Sequence, residues 1–112
     1  MKKVEAIVRK SKFDAVREAL YAVGIEFLTY WDVRGVGKDV QHRSYRGVGY
    51  DTSVIERTFI MFFCQDKYVE PAAKAIISSG QTGEVGDGKI FISDVERAIK
   101  IRTSEEGVAA LN

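Results

Sequence analysis

Polar and apolar residues alternate in some segments of the chain and follow a helical spacing in others. Residues 3–9 alternate with the two-residue period of a strand, partly covered on both faces. After Ser11, apolar residues recur every three or four positions up to Val23. This spacing predicts an amphipathic helix that Ser11 caps and Gly24 ends.

Four later segments complete the pattern. Residues 25–36 alternate and are rich in aromatic and β-branched residues, which predicts a long second strand. Residues 58–64 form a nearly continuous apolar run, typical of a strand buried on both faces or against a neighbouring subunit. Residues 67–79 predict a second helix capped by Asp66, and residues 89–93 a short strand. The residues of the second helix predicted to face inward are Val69, Ala73, Ile76 and Ile77.

This order of strand, helix, strand, strand, helix and strand is that of the ferredoxin-like βαββαβ fold. It is an α+β fold with an antiparallel sheet and both helices on one face. A chain of 112 residues makes about one domain, so we expect a single domain over residues 1–112. Apolar side chains such as Trp31 and Phe59 would lie on the face of the sheet that no helix covers, and a large exposed apolar patch usually marks an interface. We therefore expect self-association over that face.

Composition narrows the classes of function. The net charge is +1, whereas a nucleic-acid binder more often shows a strong basic excess, so we expect no nucleic acid as partner. The sequence has one cysteine, Cys64, and one histidine. A single chain can therefore form neither an internal disulfide nor a clustered zinc site. Cys64 ends an apolar run and is predicted to be buried. The absence of a secretion signal and of a membrane-spanning run favours the cytoplasm.

A long connection joins the second and third predicted strands. Residues 37–53 lack a helical or strand pattern, and loops longer than about 12–15 residues are usually functional or disordered. The segment could be a solvated surface loop, but we favour a partner-recognition loop because arginine and tyrosine are typical contact residues. Its candidate contact residues are Arg43, Tyr45, Arg46 and Tyr50.

A glycine-rich loop, residues 82–89, precedes the last strand. Its three glycines let the backbone approach a ligand closely with its N–H groups pointing one way, and Lys89 adds a cation. Residues 83–89 match the glycine and lysine spacing of a P-loop. However, Ile90 stands where serine or threonine would hold the metal, and the loop leads from a helix into a strand. The loop is therefore either a phosphate cradle of another kind or a turn that merely changes direction.

Two more cations follow near the end of the chain. Lys100 and Arg102 lie on a predicted last small strand or extended tail, residues 99–102. They could neutralise a polyphosphate together with Lys89 and Lys38, or form a solvated strand edge. The sequence shows no nucleophile with a base and an orienting group, so we expect no enzyme. The rival functions are slow ATP hydrolysis or another phosphate reaction at the glycine-rich loop, and a plain ferredoxin-like oligomerisation module.

Three motifs in order resemble the P-II nitrogen regulatory (signal transduction) protein family. Residues 82–92 are similar to its nucleotide-binding loop, residues 100–107 to its C-terminal segment, and residues 45–50 to the tip of its long loop. Residues 1–8 also match the start of the family, so the resemblance covers essentially the whole chain.

The resemblance implies a homotrimer with nucleotide sites in the clefts between subunits. ATP and ADP compete for these sites in the family, and 2-oxoglutarate usually joins Mg-ATP. Occupancy reshapes the long loop, which engages an ammonium transporter, a modifying enzyme or a metabolic enzyme. A transporter partner would bring the protein to the periphery of the membrane.

The resemblance also implies roles for individual residues. Lys100 and Arg102 would enter the site from the adjacent subunit, and Thr29 and Phe63 would lie near its base. Tyr50 matches a tyrosine that some members carry uridylylated. The residues that would bind the nucleotide are Thr29, Gly35, Gly37, Lys38, Phe63, Thr82, Gly83, Gly86, Asp87, Gly88, Lys89, Lys100 and Arg102. Those that could serve 2-oxoglutarate or Mg are Asp39, Gln41 and Arg57.

The chain also departs from the family pattern, which indicates a divergent branch. The glutamine that ligates magnesium and 2-oxoglutarate has no clear equivalent. Arg57 stands where a lysine normally contacts the 2-oxoglutarate carboxylate, Met61 where a glutamate is usual, and Lys100 where an arginine is usual. The alternatives are therefore a sensor of ADP or AMP with a small anion such as bicarbonate, or a regulator of nitrogenase.

Overall fold

The structure, a computed structural model, describes residues 1–36 and 54–111 together with the backbone of residues 44–45 and 48–49. The strands are β1 (Lys2–Arg9), β2 (Thr29–Val36), β3 (Ser44–Tyr45), β4 (Val48–Gly49), β5 (Val54–Cys64) and β6 (Lys89–Asp94). The α-helices are α1 (Phe13–Ala22) and α2 (Val69–Gly80), and short 3-10 helices cover Lys10–Lys12, Asp66–Tyr68 and Gly107–Leu111.

Four strands form one antiparallel sheet in the order β2-β5-β1-β6. The central strand β1 pairs with β5 along its whole length, Lys2 opposite Cys64 and Arg9 opposite Arg57. This arrangement confirms the ferredoxin-like fold. Within the long connection, β3 and β4 pair as a short hairpin, so the expectation that residues 37–53 hold no strand was wrong.

Both helices pack on one face of the sheet and bury its even-numbered side chains. Val4, Ala6 and Val8 of β1 are fully buried with Ile60 and Phe62 of β5. The helices contribute Val16, Leu20, Ala72 and Ile76 to this core. Cys64 is buried as predicted, and this burial raises the pKa of its thiol.

The helix ends follow the prediction in part. Gly24 ends α1 with a φ of +98°, a conformation that glycine adopts without strain. Neither Ser11 nor Asp66 caps a helix, because a 3-10 turn precedes each one. The Asp66 carboxylate instead accepts a hydrogen bond of 3.0 Å from the Met1 ammonium group, which lowers the pKa of Asp66.

The inward face of α2 is rotated relative to the prediction. Val69 and Ile76 are buried as expected, but Ile77 is half exposed. Gly80 is the last residue of this helix, and a Cβ there would lie 3.3 Å from Val16 Cγ2. Gly80 therefore lets α2 approach α1 closely.

The second strand begins at Thr29, later than predicted. Ile25 turns into the core instead, and its amide donates to the Leu20 carbonyl at 2.9 Å. This contact continues the end of α1, and the chain reaches the sheet edge only after residue 28.

The odd-numbered side chains of the sheet form the open face, which no helix of the described residues covers. Trp31 and Phe59 stack there with ring centroids 4.6 Å apart. Phe91 of β6 shares the face and is half exposed. The prediction of an apolar open face is confirmed for these residues.

The C-terminal turn, residues 98–107, replaces the predicted last strand. Ile99 pairs with Glu106 as an isolated bridge. The Lys100 amide donates to the Glu105 carbonyl, and the Ser104 amide to the Lys100 carbonyl, both at 2.8 Å. Ser104 has a φ of +62°, which is incompatible with a continuing strand.

Candidate functional site

The glycine-rich loop joins α2 to β6 at one end of the sheet. Gly83, Gly86 and Gly88 all have positive φ angles, of +89°, +106° and +99°. Gly88 lies directly against the backbone of β1, because a Cβ there would fall 1.6 Å from the Ile7 carbonyl oxygen. No residue with a side chain fits this position without moving β1 or the loop.

Asp87 holds the two ends of the loop together. Its Oδ2 accepts the amides of Thr82 and Gly83 at 2.8 and 2.9 Å. Its Oδ1 accepts the Thr82 hydroxyl at 2.5 Å and the Arg9 Nε at 3.0 Å. The Thr82 hydroxyl oxygen also accepts the Glu84 amide at 3.2 Å. The contacts of Asp87 therefore give it a loop-shaping role.

These contacts keep Asp87 ionised. The pKa of its carboxyl lies well below the usual range, first because of the Thr82 hydroxyl and then because of the Thr82 amide. Arg9 and the Gly83 amide lower it further, while partial desolvation acts in the opposite direction. The bonds stabilise the charged form because every one of these partners is a donor.

Two arginines approach the loop from the sheet. Arg9 and Arg57 face each other across β1 and β5 on the open face. A Cβ on Gly86 would lie 2.9 Å from Arg57 Nη2 and 3.3 Å from Arg9 Nη2, so both guanidinium groups pack against this glycine. Arg57 is buried, with 7% of its surface exposed.

Two further predicted residues lie at the same end of the sheet. Lys89 pairs with Ile7 on the open face and has an exposed side chain. Gly35 pairs with Ile55, two positions along β5 from Arg57, and no atom lies within 4 Å of where its Cβ would be. The structure thus brings Gly35, Arg57, Gly86 and Lys89 to one region.

The remaining predicted residues of the described chain lie at the other end of the sheet. Thr29 pairs with Met61, and Phe63 lies six positions from Arg57 along β5, about 20 Å at a rise of ~3.3 Å per residue. Thr29 and Phe63 line a cavity of about 400 Å³ next to the C-terminal turn. Lys100 and Arg102 stand on that turn, so a single chain does not bring them to the glycine-rich loop.

The long connection opens next to the glycine-rich loop. Val36 and Val54 are paired, so β2 ends and β5 begins at the end of the sheet where Gly35 and Arg57 lie. Of Tyr45 only the backbone is described. Seven further predicted residues lie outside the described residues, namely Gly37, Lys38, Asp39, Gln41, Arg43, Arg46 and Tyr50.

Sequence reasoning missed Arg9, the residue that ties the loop to the sheet. The signal was present, since Arg9 ends the first strand and the loop precedes the last one. Antiparallel pairing of those two strands brings the end of one to the start of the other. Among the described residues, no group of acidic, histidine or cysteine side chains could hold a metal ion. The helices described in the structure include none long and apolar enough to cross a membrane.

The fold and this region define a class of protein: a ferredoxin-like domain that presents a shaped glycine-rich loop and a long connection at one end of its sheet. Residues 1–105 match the family described as Nitrogen regulatory protein P-II. The chain belongs to this family, which confirms the resemblance seen in its motifs.

Curated relatives agree with the family match. A nitrogen regulatory protein P-II of Cereibacter sphaeroides is 45% identical over 112 residues, covering 99% of this chain and 100% of the relative. The protein of the same name from Pasteurella multocida is 44% identical with the same coverage. Nitrogen regulatory protein P-II 1 of Escherichia coli K12 is likewise 44% identical over 112 residues. These relatives are named as regulatory proteins.

Proposed function

We propose that the chain is a P-II-type signal transduction protein that binds ATP or ADP between the subunits of a homotrimer. Through the loop at residues 37–53 it regulates a partner, namely an ammonium transporter, a modifying enzyme or a metabolic enzyme in the cytoplasm. The observation that carries the proposal is the glycine-rich loop, which is held in one shape beside two arginines.

The electrostatics of the loop support binding of a phosphate group. Gly83 has open space around it, and Arg57 and Lys89 supply positive charge near the loop. The amides of Val85 and Gly86 belong to this loop and could meet phosphate oxygens. Charged hydrogen bonds of this kind are about twice as strong as neutral ones.

The division of the predicted site supports assembly. Gly86 and Lys89 lie at one end of the sheet, and Thr29, Lys100 and Arg102 lie near the other. A second copy that brings its C-terminal turn to the glycine-rich loop would complete the site. A head-to-tail contact whose rotation is one third of a turn closes into the ring that a trimer requires. The apolar open face offers surface for such a contact.

Signal transfer follows from the position of the long loop. Its two ends are held together at Val36 and Val54, next to the proposed nucleotide site. A nucleotide that binds two states of this loop unequally shifts their populations by its differential affinity. Tyr50 is a candidate for covalent modification within the loop.

A second ligand is favoured by Arg57. This buried guanidinium at Gly86 fits a small anion, either 2-oxoglutarate with Mg-ATP or, in a divergent branch, bicarbonate with ADP or AMP. Titrating 2-oxoglutarate and then bicarbonate with and without Mg-ATP separates these alternatives. A regulator of nitrogenase would bind the same nucleotides and differ in its partner.

Calorimetry with ATP, ADP and AMP tests the proposal. We expect binding of at least one nucleotide, weakened by Lys89→Ala and unchanged by Lys74→Ala, which removes an exposed lysine from α2. Light scattering should give the mass of a trimer. No binding heat with any nucleotide would contradict the proposal. Steady phosphate release that Lys89→Ala abolishes would favour an enzyme instead.

A further inference from the structure

We propose that Arg9 is a positioning residue, which holds the glycine-rich loop in the shape that presents the Gly86 amide to phosphate. The inference deepens the proposed function and rests on it. Arg9 lies at the end of β1, and its guanidinium group reaches two separate points of the loop.

The first contact ties the loop to the sheet. Arg9 Nε donates to Asp87 Oδ1 at 3.0 Å, and the same carboxylate accepts the amides of Thr82 and Gly83. Asp87 therefore joins the two ends of the loop, and Arg9 joins this closed loop to a strand that is paired on both sides. Without Arg9, a loop with three positive-φ glycines would have much conformational freedom to lose on binding.

The second contact sets the direction of one amide. Arg9 Nη2 donates to the Val85 carbonyl oxygen at 3.2 Å. The Val85 carbonyl and the Gly86 N–H belong to the same peptide unit, and in a planar trans peptide they point in opposite directions. Holding the carbonyl toward Arg9 therefore turns the Gly86 N–H away from the guanidinium, where an incoming anion could accept it.

The geometry favours positioning over direct contact with a ligand. The Arg9 side chain is about three-quarters buried, with 25% of it exposed, and two of its nitrogens already donate within the loop. Lysine keeps the charge but has no planar fork to reach the Asp87 carboxylate and the Val85 carbonyl together. The two roles thus predict different results for Arg9→Lys.

The experiment compares the wild type, Arg9→Lys and Asp87→Asn with the control Arg17→Lys. Arg17 is a half-exposed arginine on α1 whose ion-pair partner, Asp14, belongs to the same helix. Calorimetry measures ATP affinity, and hydrogen exchange followed by NMR measures protection of the Thr82 and Gly83 amides in the ligand-free protein. Thermal unfolding verifies that each variant is folded.

Positioning predicts that Arg9→Lys weakens ATP binding about tenfold, the size expected for loss of one charge-assisted hydrogen bond. It also predicts faster exchange of the Thr82 and Gly83 amides before any ligand is added. The double variant of Arg9→Lys and Asp87→Asn should bind ATP no more weakly than the single variant with the lower ATP affinity, because both changes release the same loop. Arg17→Lys should match the wild type in every measurement.

Two results would overturn the role of Arg9. Unchanged exchange of both amides in Arg9→Lys would show that Arg9 does not hold the loop. Weaker ATP binding with unchanged exchange would make Arg9 a direct ligand. If the wild type binds no nucleotide, the proposed function fails separately, and the exchange rates of the ligand-free protein still decide whether Arg9 shapes the loop.

Discussion

The glycine-rich loop and the C-terminal turn are both irregular segments with positive φ angles and nearby cations, yet they are held in different ways. The former is bonded to its own sheet through Arg9, and Gly88 touches the backbone of β1. The latter is closed by local backbone bonds and by the exposed ion pair of Arg97 and Glu106. The loop is therefore fixed to its own sheet, whereas the turn is closed by contacts among its own residues and with Arg97.

The exposure of Ile101 supports this contrast. Its side chain lies between Lys100 and Arg102 at the tip of the turn and is 99% exposed. An isoleucine gains about 1.5–3 kcal/mol when it is buried, and no residue in the described part of the chain gives it cover. The turn is thus the described segment whose solvent exposure a neighbouring copy would change most.

The largest expected effect comes from adding a methyl group to one glycine of each segment. Gly88→Ala should lower the free energy of unfolding by at least about 3 kcal/mol, because its Cβ meets the Ile7 backbone oxygen and its φ is positive. Gly107→Ala should cost about 1–2 kcal/mol, since its φ is +76° but no atom lies within 4 Å. Urea unfolding of both variants measures the difference. Equal losses would show that the loop is not fixed against β1.

A smaller effect concerns acid stability. The pKa of Asp87 is lower in the folded chain than its ordinary value of 3.8, so the stability that its ionisation contributes is complete above that value. This stability is lost as the pH falls below 3.8 toward the lower folded pKa. Asp87→Asn should therefore unfold more easily at pH 7 and lose less further stability on acidification than the wild type. Denaturant midpoints at pH 7 and at pH 3 measure this, and parallel losses in both proteins would contradict it.

The smallest effect is expected in the C-terminal turn. The ion pair of Arg97 and Glu106 is exposed on both sides, and such pairs contribute about 0–1 kcal/mol. Glu106→Gln should therefore change the free energy of unfolding by less than about 1 kcal/mol. Urea unfolding at low and high salt measures it. A loss as large as that of Gly88→Ala would mean that the turn is held as firmly as the loop.

The sequence predicted the fold because its periods are unambiguous where the core forms. Alternation in residues 3–9 and helical spacing up to Val23 correspond to β1 and α1, whose buried faces are as expected. The cap at Asp66 was wrong because Asp66 begins a 3-10 turn before the helix, and its carboxylate binds the Met1 ammonium group, which is distant in sequence. Such a competing charge is not visible in local spacing.

The sequence predicted which residues form the candidate site but not the hydrogen bonds that hold the site together. The glycine pattern identified the loop, but the role of Asp87 depends on donors five and 78 positions away, Thr82 and Arg9. Residues 99–102 were predicted to form a small strand or an extended tail, and they form neither. Apolar and charged residues alternate there, but Ser104 and Gly107 turn the chain back. The Arg9 contact is tertiary, and the turn is closed by local backbone bonds that depend on positive φ angles. Hydrophobic periodicity contains neither kind of information.

The central claim is that each nucleotide site takes its glycine-rich loop from one subunit and its C-terminal cations from the next, so a mixing experiment tests it most directly. Lys89→Ala and Arg102→Ala chains are each assembled alone and then refolded together, and ATP binding is measured by calorimetry. In a ring of mixed subunits, one seam joins an intact loop to an intact turn. We predict that the mixture binds ATP measurably better than either variant alone. Binding in the mixture no stronger than the average of the two separate variants would contradict the account.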